Sequence, residues 1–145
     1  MTLSEDVARN RASRERLGAV IERLRGNDLP LADGWTAAAV LAHLAFWDRV
    51  AATRIALYLR EGKGMEFFND VFFEYINAAG LPQWKQIPLA VAAADAVESA
   101  NGADMTIERL SADELALLAK LERPSLFRRH PHRDQHLEQV ERALG

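Results

Sequence analysis

Cysteine is absent from this 145-residue chain. Its absence excludes disulfides, thiolate metal ligands and a cysteine nucleophile. A reducing cytoplasm is then the default location, although a chain without cysteine can function in any compartment. No apolar run approaches the roughly 18 residues that a membrane-spanning helix needs. The first ten residues are polar and carry acids, which is not typical of a signal peptide. We therefore expect a cytoplasmic protein that does not enter a membrane.

An excess of positive charge is also missing. The chain has 18 lysines and arginines against 21 aspartates and glutamates, a net charge of −3. Nucleic-acid binding usually needs a basic face, so we expect no nucleic-acid partner. Strand-like alternation, internal repeats and low-complexity segments are absent too. The length predicts one domain over residues 1–145, large enough to bury a core.

What remains is a helical pattern from end to end. Capping residues, apolar positions three and four apart, and glycine or proline stops recur in order along the chain. The residue before Pro131 is expected to be extended, so that Pro131 opens the last helix at its first position. The pattern predicts a first helix from the Thr2–Glu5 capping box to Gly26 and a second from Thr36 to about Arg60. A short helix follows from Asn69 to Ala79, closed by Gly80 with Pro82 just beyond. A long helix from Pro88 to about Leu110, a short one from the Ser111–Glu114 capping box to about Leu121, and a last helix from Pro131 complete the prediction.

These elements predict an all-α four-helix bundle with a long connection between its second and third helices, and this connection contains the short helix. The connection is rich in aromatic residues between Phe67 and Trp84. Those side chains either line a pocket for a hydrophobic small molecule or cover the bundle core or a dimer interface.

Three histidines carry the functional signal. His132 and His136 are one helical turn apart, so their rings point the same way. His43 lies on the core-facing side of the second helix. Buried imidazoles without partners would cost free energy, and a metal ion would satisfy them. Three imidazoles suit a divalent transition metal and leave one coordination position open, as in catalytic metal sites.

The helix lengths predict that the three rings meet. At ~1.5 Å per residue, His43 is about 10 Å from the start of its helix and His136 about 13 Å from the end of its own. In antiparallel neighbours these heights coincide. The last helix is then too short to reach the far end of the bundle, which leaves a space beside the metal. We predict that Trp47, Ala51, Arg54 and Tyr58 wall that space, and that all of these except Ala51 bind substrate.

Each of these interpretations has a simpler alternative. A pair of helical histidines four residues apart can be an exposed coincidence, and His43 alone can be a satisfied core residue. For His130, before the proline, capping or exposure is expected rather than ligation. Arginines near the space are candidates to hold a carboxylate, and acids are candidates to support the imidazoles, unless they are only solvated side chains or surface ion pairs. The arginines are Arg54, Arg128 and Arg129, and the acids are Asp48, Asp134 and Glu138.

Two motifs resemble one known family. The first comprises Trp35-Thr36, Val40-Leu41-Ala42-His43-Leu44 and Trp47, and the second is the HRDQHLEQV segment from His132 to Val140. In order and separation they resemble the DinB/YfiT-like superfamily of metalloenzymes, which includes thiol-dependent transferases and the N-terminal domain of maleylpyruvate isomerase. The 62–88 segment does not resemble any member of known activity.

The resemblance implies an up-down-down-up four-helix bundle, often dimeric, with a nickel or zinc site at His43, His132 and His136. Characterised members use mycothiol or bacillithiol. A metal-dependent enzyme acting on a small organic molecule is thus the leading hypothesis. A thiolate nucleophile would have to come from a low-molecular-weight thiol cosubstrate; otherwise metal-activated water would act, as in a hydrolase. The alternatives are a stress-related small-molecule-binding protein and a dimeric scaffold without catalysis.

Overall fold

Helices make up nearly all the regular structure of the computed structural model, which describes residues 2–145. The fold is all-α, as predicted, and this described part contains no β-strand. No helix in it is both long and apolar enough to cross a membrane. The helices are α1 (Leu3–Leu24), α2 (Ala37–Glu61), α3 (Asp70–Trp84), α4 (Leu89–Glu108), α5 (Ala112–Ala119) and α6 (His130–Leu144), with short 3₁₀ helices at Ala32–Gly34 and Pro124–Phe127.

Local capping explains most of the helix starts. Thr2 and Glu5 form the predicted capping box at α1, and Ser111 and Glu114 form the one at α5. The Thr36 hydroxyl accepts a hydrogen bond from the backbone N–H of Ala39 at 3.1 Å and begins α2. These bonds satisfy backbone donors that the first turn of a helix leaves free. The predicted starts of these helices are confirmed.

The predicted end of α3 at Ala79 is wrong, because the helix continues through Gly80 and Pro82 to Trp84. Gly80 lets the Trp84 indole lie directly on the helix backbone, where a β-carbon would come within 2.5 Å of the ring. Trp84 is buried against the core. We attribute the continuation to this burial, because its free energy offsets the loss of the backbone hydrogen bond that Pro82 cannot donate.

The start of α6 also differs from the prediction by one residue. His130, expected to be extended, is the first helical residue, and Pro131 is the second. The Asn10 side chain, which comes from α1, accepts hydrogen bonds from the backbone N–H groups of Arg129 and His130 at 2.9 and 3.0 Å. A cap from a distant helix therefore begins α6 where no local cap is present. His130 is buried, so the exposed alternative for it is wrong.

The core is built around α2, which packs against α3, α4 and α6, while α1 packs against α4 and α6. Residues 37–45 of α2 are all buried, and most of them are alanine. Small side chains let neighbouring helices approach this part of α2 from several sides. The apolar core forms two clusters, a larger one around residues 37–45 and a smaller one around Ile55, Ile107 and Leu118.

A buried ionic layer lies between the two apolar clusters along the helices. Arg133 of α6 has no solvent exposure and forms ion pairs with Asp48 of α2 and Asp104 of α4. Asp48 also pairs with Arg129, and Asp104 also pairs with Arg14. We call these five residues the ionic layer. It connects α1, α2, α4 and α6 through charged side chains.

Candidate metal centre

The three predicted histidines meet at one point. The Nε2 atom of His43 is 3.0 Å from Nε2 of His132 and 3.2 Å from Nε2 of His136. One ring nitrogen from each of the three lies within 4.8 Å of the others, close enough to bind a single metal ion. The prediction that these residues converge is confirmed.

Helix packing and the ionic layer position the three rings. His43 projects from the fully buried part of α2, so its backbone is held on all sides. His132 and His136 lie one turn apart on α6, next to Arg133. The Arg133 guanidinium donates to both carboxylate oxygens of Asp48 at 3.1 and 3.2 Å, which ties α6 to α2 just beyond His43.

Burial keeps the imidazoles neutral. His43 is 2% exposed, and its ring packs edge-on against Trp35 and Trp84 at centroid distances of 5.3 and 5.2 Å. Burial, with a smaller contribution from the neighbouring His136, lowers the pKa of His43 to about 3. Burial, with smaller contributions from His136, His43 and nearby arginines, lowers the pKa of His132 to about 2. At neutral pH both rings carry a lone pair for a metal.

The tautomer of His136 is also fixed. Its Nδ1–H donates a hydrogen bond to Oε1 of Gln139 at 3.0 Å, which leaves the lone pair on Nε2, facing the other two rings. This hydrogen bond opposes the effect of burial, which lowers the pKa of His136. Hydrogen bonds of this kind orient metal-binding imidazoles and raise their basicity.

The donor set fits a divalent transition metal. Without an ion, the Nε2–H of one ring can bond to only one neighbour, so lone pairs of the remaining rings face each other. Metal–nitrogen distances of about 2.0–2.1 Å in a tetrahedral site imply nitrogen–nitrogen separations near 3.3 Å. The two measured separations, 3.0 and 3.2 Å, are close to that value. The Nδ1 atom of His43 is buried without a hydrogen-bond partner among residues 2–145.

A cavity of about 470 Å³ opens beside the three rings. Trp47 of α2 and Phe73 of α3 form its apolar wall, with ring centroids 5.1 Å apart. The Trp47 indole N–H donates to Oδ1 of Asn77 at 2.9 Å, so α3 is attached to α2 at the cavity. A larger cavity of about 640 Å³ contacts only His136 of the three histidines. The smaller cavity is lined by His43, Trp47, Phe73, Asn77, Arg129, His132, Gln135 and His136.

The three residues predicted to bind substrate have different locations. Trp47 lines the cavity, whereas Arg54 and Tyr58 are not among its lining residues. Arg54 donates to the carbonyl oxygens of Gly64 and Glu66 and holds the segment between α2 and α3. Tyr58 packs against the smaller apolar cluster. A role for Arg54 and Tyr58 in substrate binding stays a prediction, without a contact to the cavity to support it.

The acids proposed to support the imidazoles bind arginines instead. Asp48 belongs to the ionic layer, and Asp134 and Glu138 form ion pairs with Arg16 and Arg142. None of the three acids forms a hydrogen bond with an imidazole in residues 2–145. The surface ion-pair alternative describes Asp134 and Glu138, whereas the ion pairs of Asp48 are buried. Of the candidate arginines, Arg129 lines the cavity and Arg128 pairs with Asp6.

Sequence reasoning missed several residues of the site. Gln139 lies three residues after His136, a spacing that places both on one helix face, and this spacing could have identified it. Phe73 and Asn77 come from α3, the part of the chain without a recognisable motif. No local signal points them at the histidines, because their position depends on how α3 packs against α2. The aromatic segment thus contributes both to the cavity, through Phe73, and to the core, through Trp84.

Comparisons with protein-family models, with curated proteins and with solved structures found no match. The function therefore has to be argued from the chemistry of the site.

Proposed function

We propose that this protein is a metal-dependent enzyme that acts on a small organic molecule at His43, His132 and His136. One observation carries the proposal: three neutral imidazoles converge beside an open cavity that is large enough for a small substrate. A structural metal site would be closed by a fourth protein ligand. Within residues 2–145, the group of potential ligands contains no fourth histidine, cysteine or acid.

A bound divalent ion would supply Lewis acidity and lower the pKa of a nucleophile in its open position. The protein's own residues would position the substrate. Trp47 and Phe73 offer an apolar wall that excludes water, and Asn77, Gln135 and Arg129 offer polar groups. Because the chain has no cysteine, a thiolate nucleophile would come from a low-molecular-weight thiol cosubstrate. Transferase or isomerase chemistry would follow with such a thiol, and hydrolysis would follow with water.

We also propose an up-down-down-up four-helix bundle of the DinB/YfiT-like kind, with nickel or zinc as the metal. Side-chain pairs between helices support this order. Between α1 and α6, and between α2 and α4, the numbers of the contacting residues increase together, as in parallel helices. Between α1 and α4, and between α2 and α6, the numbers increase in one helix as they decrease in the other, as in antiparallel helices. The pairs between α1 and α6 are Asn10–Arg129, Arg16–Asp134 and Arg23–Gly145. Between α2 and α4 there is the pair Arg49–Asp95, and farther along Ile55 and Ile107 belong to the same apolar cluster. The pairs between α1 and α4 are Arg11–Glu108 and Arg14–Asp104, and those between α2 and α6 are His43–His136 and Asp48–Arg129.

Elemental analysis of the tag-free protein tests the metal site. We expect close to one equivalent of a transition metal in the parent, either as isolated or after reconstitution with zinc or nickel. His43→Ala and His132→Ala should lose it while keeping their helical circular dichroism. His130→Ala is the matched control, because His130 is buried nearby but belongs outside the ligand group. A parent protein without metal after reconstitution, or His43→Ala protein with a full equivalent, would contradict the proposal.

A second candidate is a protein that binds a hydrophobic small molecule without turnover. The contact between Trp47 and Phe73 at the cavity favours it. The two candidates differ in their dependence on metal. If ligand binding is unchanged when a chelator removes the metal, and no conversion of the ligand occurs in either form, the binding protein is the better description.

The homodimer expected from the family resemblance stays a prediction. Large apolar side chains of the segment between α2 and α3 and of α3 itself are exposed, including Phe67, Val71 and Tyr75. Light scattering of the purified protein would determine the oligomeric state, and a monomer at micromolar concentration would contradict the prediction. The cytoplasmic location likewise stays a prediction.

A further inference from the structure

The cavity beside the histidines is lined by a positively charged side chain and by no negatively charged one. Arg129 is the single permanently charged side chain among its lining residues, and no acid is among them. This part of the surface is therefore positive in a chain whose net charge is −3. Binding of a divalent ion would add to the positive charge.

The ionic layer has too few acids to neutralise all of its arginines. It contains three guanidinium groups, those of Arg14, Arg129 and Arg133, but only two carboxylates, those of Asp48 and Asp104. Arg133 is fully buried and binds both carboxylates, so it takes the largest share of their charge. One positive charge is left over in the layer. Arg129 is the one member of the layer that lines the cavity.

The free atoms of Arg129 suit an incoming anion. Its Nε–H donates to Oδ1 of Asp48 at 2.9 Å, which fixes the plane of the guanidinium. Its terminal nitrogens, Nη1 and Nη2, form no hydrogen bond with any described residue, and the side chain is 15% exposed. Two parallel N–H groups on a guanidinium match the two oxygens of a carboxylate. The hydrogen bond to Asp48 therefore orients the two Nη groups of Arg129 before any ligand binds.

We propose that the cavity binds a small organic carboxylate, with the carboxylate on the Nη atoms of Arg129 and an apolar, planar body against Trp47 and Phe73. The cavity volume of about 470 Å³ is in the lower half of the range for small-molecule sites, about 300–1,000 Å³, so the ligand is compact. This assignment deepens the proposed function by naming its substrate class, and the orientation of the reactive end toward the histidines rests on that function. The carboxylate contact itself does not.

Binding of benzoate and of its neutral analogue benzamide to the metal-free protein tests the proposal. The indole N–H signal of Trp47, assigned with Trp47→Phe, serves as the reporter in proton–nitrogen correlation spectra. Because hydrogen bonds between charged groups are stronger than those between neutral groups, benzoate should bind at least about tenfold more tightly than benzamide. Arg129→Gln should abolish the preference, and Arg129→Lys should retain part of it. Arg142→Gln, which alters an exposed arginine outside this cavity, should leave it unchanged.

Several outcomes would overturn the assignment. These are equal affinity of the parent for the two ligands, a benzoate preference that survives in Arg129→Gln, or no saturable benzoate shift below about 50 mM. If Arg129→Gln does not fold, the affinity ratio of the parent and nuclear Overhauser contacts from the benzoate ring to Trp47 and Phe73 still decide the question. Absence of these contacts together with equal affinities refutes the proposal.

The same titration separates this proposal from the proposed function. Repeating it on zinc-loaded protein shows whether benzoate binds the ion directly, because such binding would persist in Arg129→Gln and would disappear with the metal. If the protein prefers the carboxylate but binds no metal on reconstitution, the anion site is supported and the metal-dependent enzyme is not. A full equivalent of metal without carboxylate preference would support the enzyme while the anion site fails.

Discussion

Replacing Arg133 with methionine tests the energetics of the ionic layer. The Arg133 side chain is fully buried, and its guanidinium donates to Asp48 and Asp104 at 2.9–3.2 Å. It also donates to the backbone carbonyls of Asn10 and Ala100 and to the hydroxyl of Ser13. Every N–H of the guanidinium therefore has a partner. Methionine has a similar length but no charge and no donor.

The loss of stability expected for Arg133→Met comes from the two buried carboxylates that lose their partner. Asp48 and Asp104 are each about 1% exposed, so water does not replace the lost donors. Removing one partner of a buried ion pair costs about 3–5 kcal/mol, mainly because the remaining charge is uncompensated. The arginines that stay, Arg129 and Arg14, each keep one carboxylate partially paired. We therefore expect a loss of about 3–5 kcal/mol in the free energy of unfolding. Since a domain has only about 5–15 kcal/mol in total, this change is easily measured.

Urea unfolding at pH 8 in the presence of a chelator measures the effect without a contribution from bound metal. Arg133→Lys keeps the charge but has fewer donors and a different geometry, so its loss should be intermediate. Arg142→Met, at a largely exposed ion pair, should change the unfolding free energy by less than about 0.5 kcal/mol. A loss below about 1 kcal/mol for Arg133→Met would refute the reasoning, because it would mean that the two carboxylates are neutral or hydrated without Arg133.

Three further predictions concern the metal centre and its support. The pKa of His43 is about 3 in the folded chain and 6.5 in the unfolded one. The unfolded chain therefore binds the extra proton below pH 6.5, so the metal-free protein should lose about 1.4 kcal/mol per pH unit from this residue, about 2 kcal/mol by pH 5, and none between pH 7 and 8. Urea titrations across this range measure the loss, and a flat profile from pH 6.5 to 5 would contradict it. Gln139→Ala removes the hydrogen bond to His136 and should weaken zinc binding by about 10–100-fold in chelator competition; unchanged affinity would mean that the bond does not orient the ring. Gly80→Ala places a β-carbon within 2.5 Å of Trp84, so thermal unfolding should show a net loss of about 1 kcal/mol despite the better helix propensity of alanine; a gain would show that the indole moves aside freely.

The helix starts that could be predicted from sequence are those whose hydrogen bonds are local. A capping residue and its partner are three positions apart at Thr2, Thr36 and Ser111, so a short window of sequence contains all the information. The end of α3 and the start of α6 depend on side chains from elsewhere. Gly80 and Pro82 predict a helix end from local sequence, but the helix continues because Trp84 is buried in the core. Asn10 caps a helix almost 120 residues away, which no local pattern reveals.

The candidate site divides in the same way. Helical periodicity places His132 and His136 on one face and puts His43 on a buried face, so their convergence follows from sequence once the helices are neighbours. The cavity does not follow, because Phe73 and Asn77 reach it only through the packing of α3 on α2. Sequence placed Arg54 and Tyr58 on the same line as His43. The cavity follows that line only as far as Trp47, and its other lining residues belong to α3, to α6 and to the residue before α6.

The ionic layer also explains why the three rings can stay in register. A one-residue slide of α6 along α2 would move His132 and His136 by about 1.5 Å relative to His43, whereas metal–ligand distances tolerate only about 0.2 Å. Apolar contacts on the alanine-rich part of α2 resist such a slide weakly, because neighbouring positions there have nearly the same shape. The bonds from Arg133 to Asp48 resist it strongly, since a slide would leave both charges buried and unpaired. Placing these charges one residue from His132 and five residues from His43 therefore fixes the distance on which any metal binding depends.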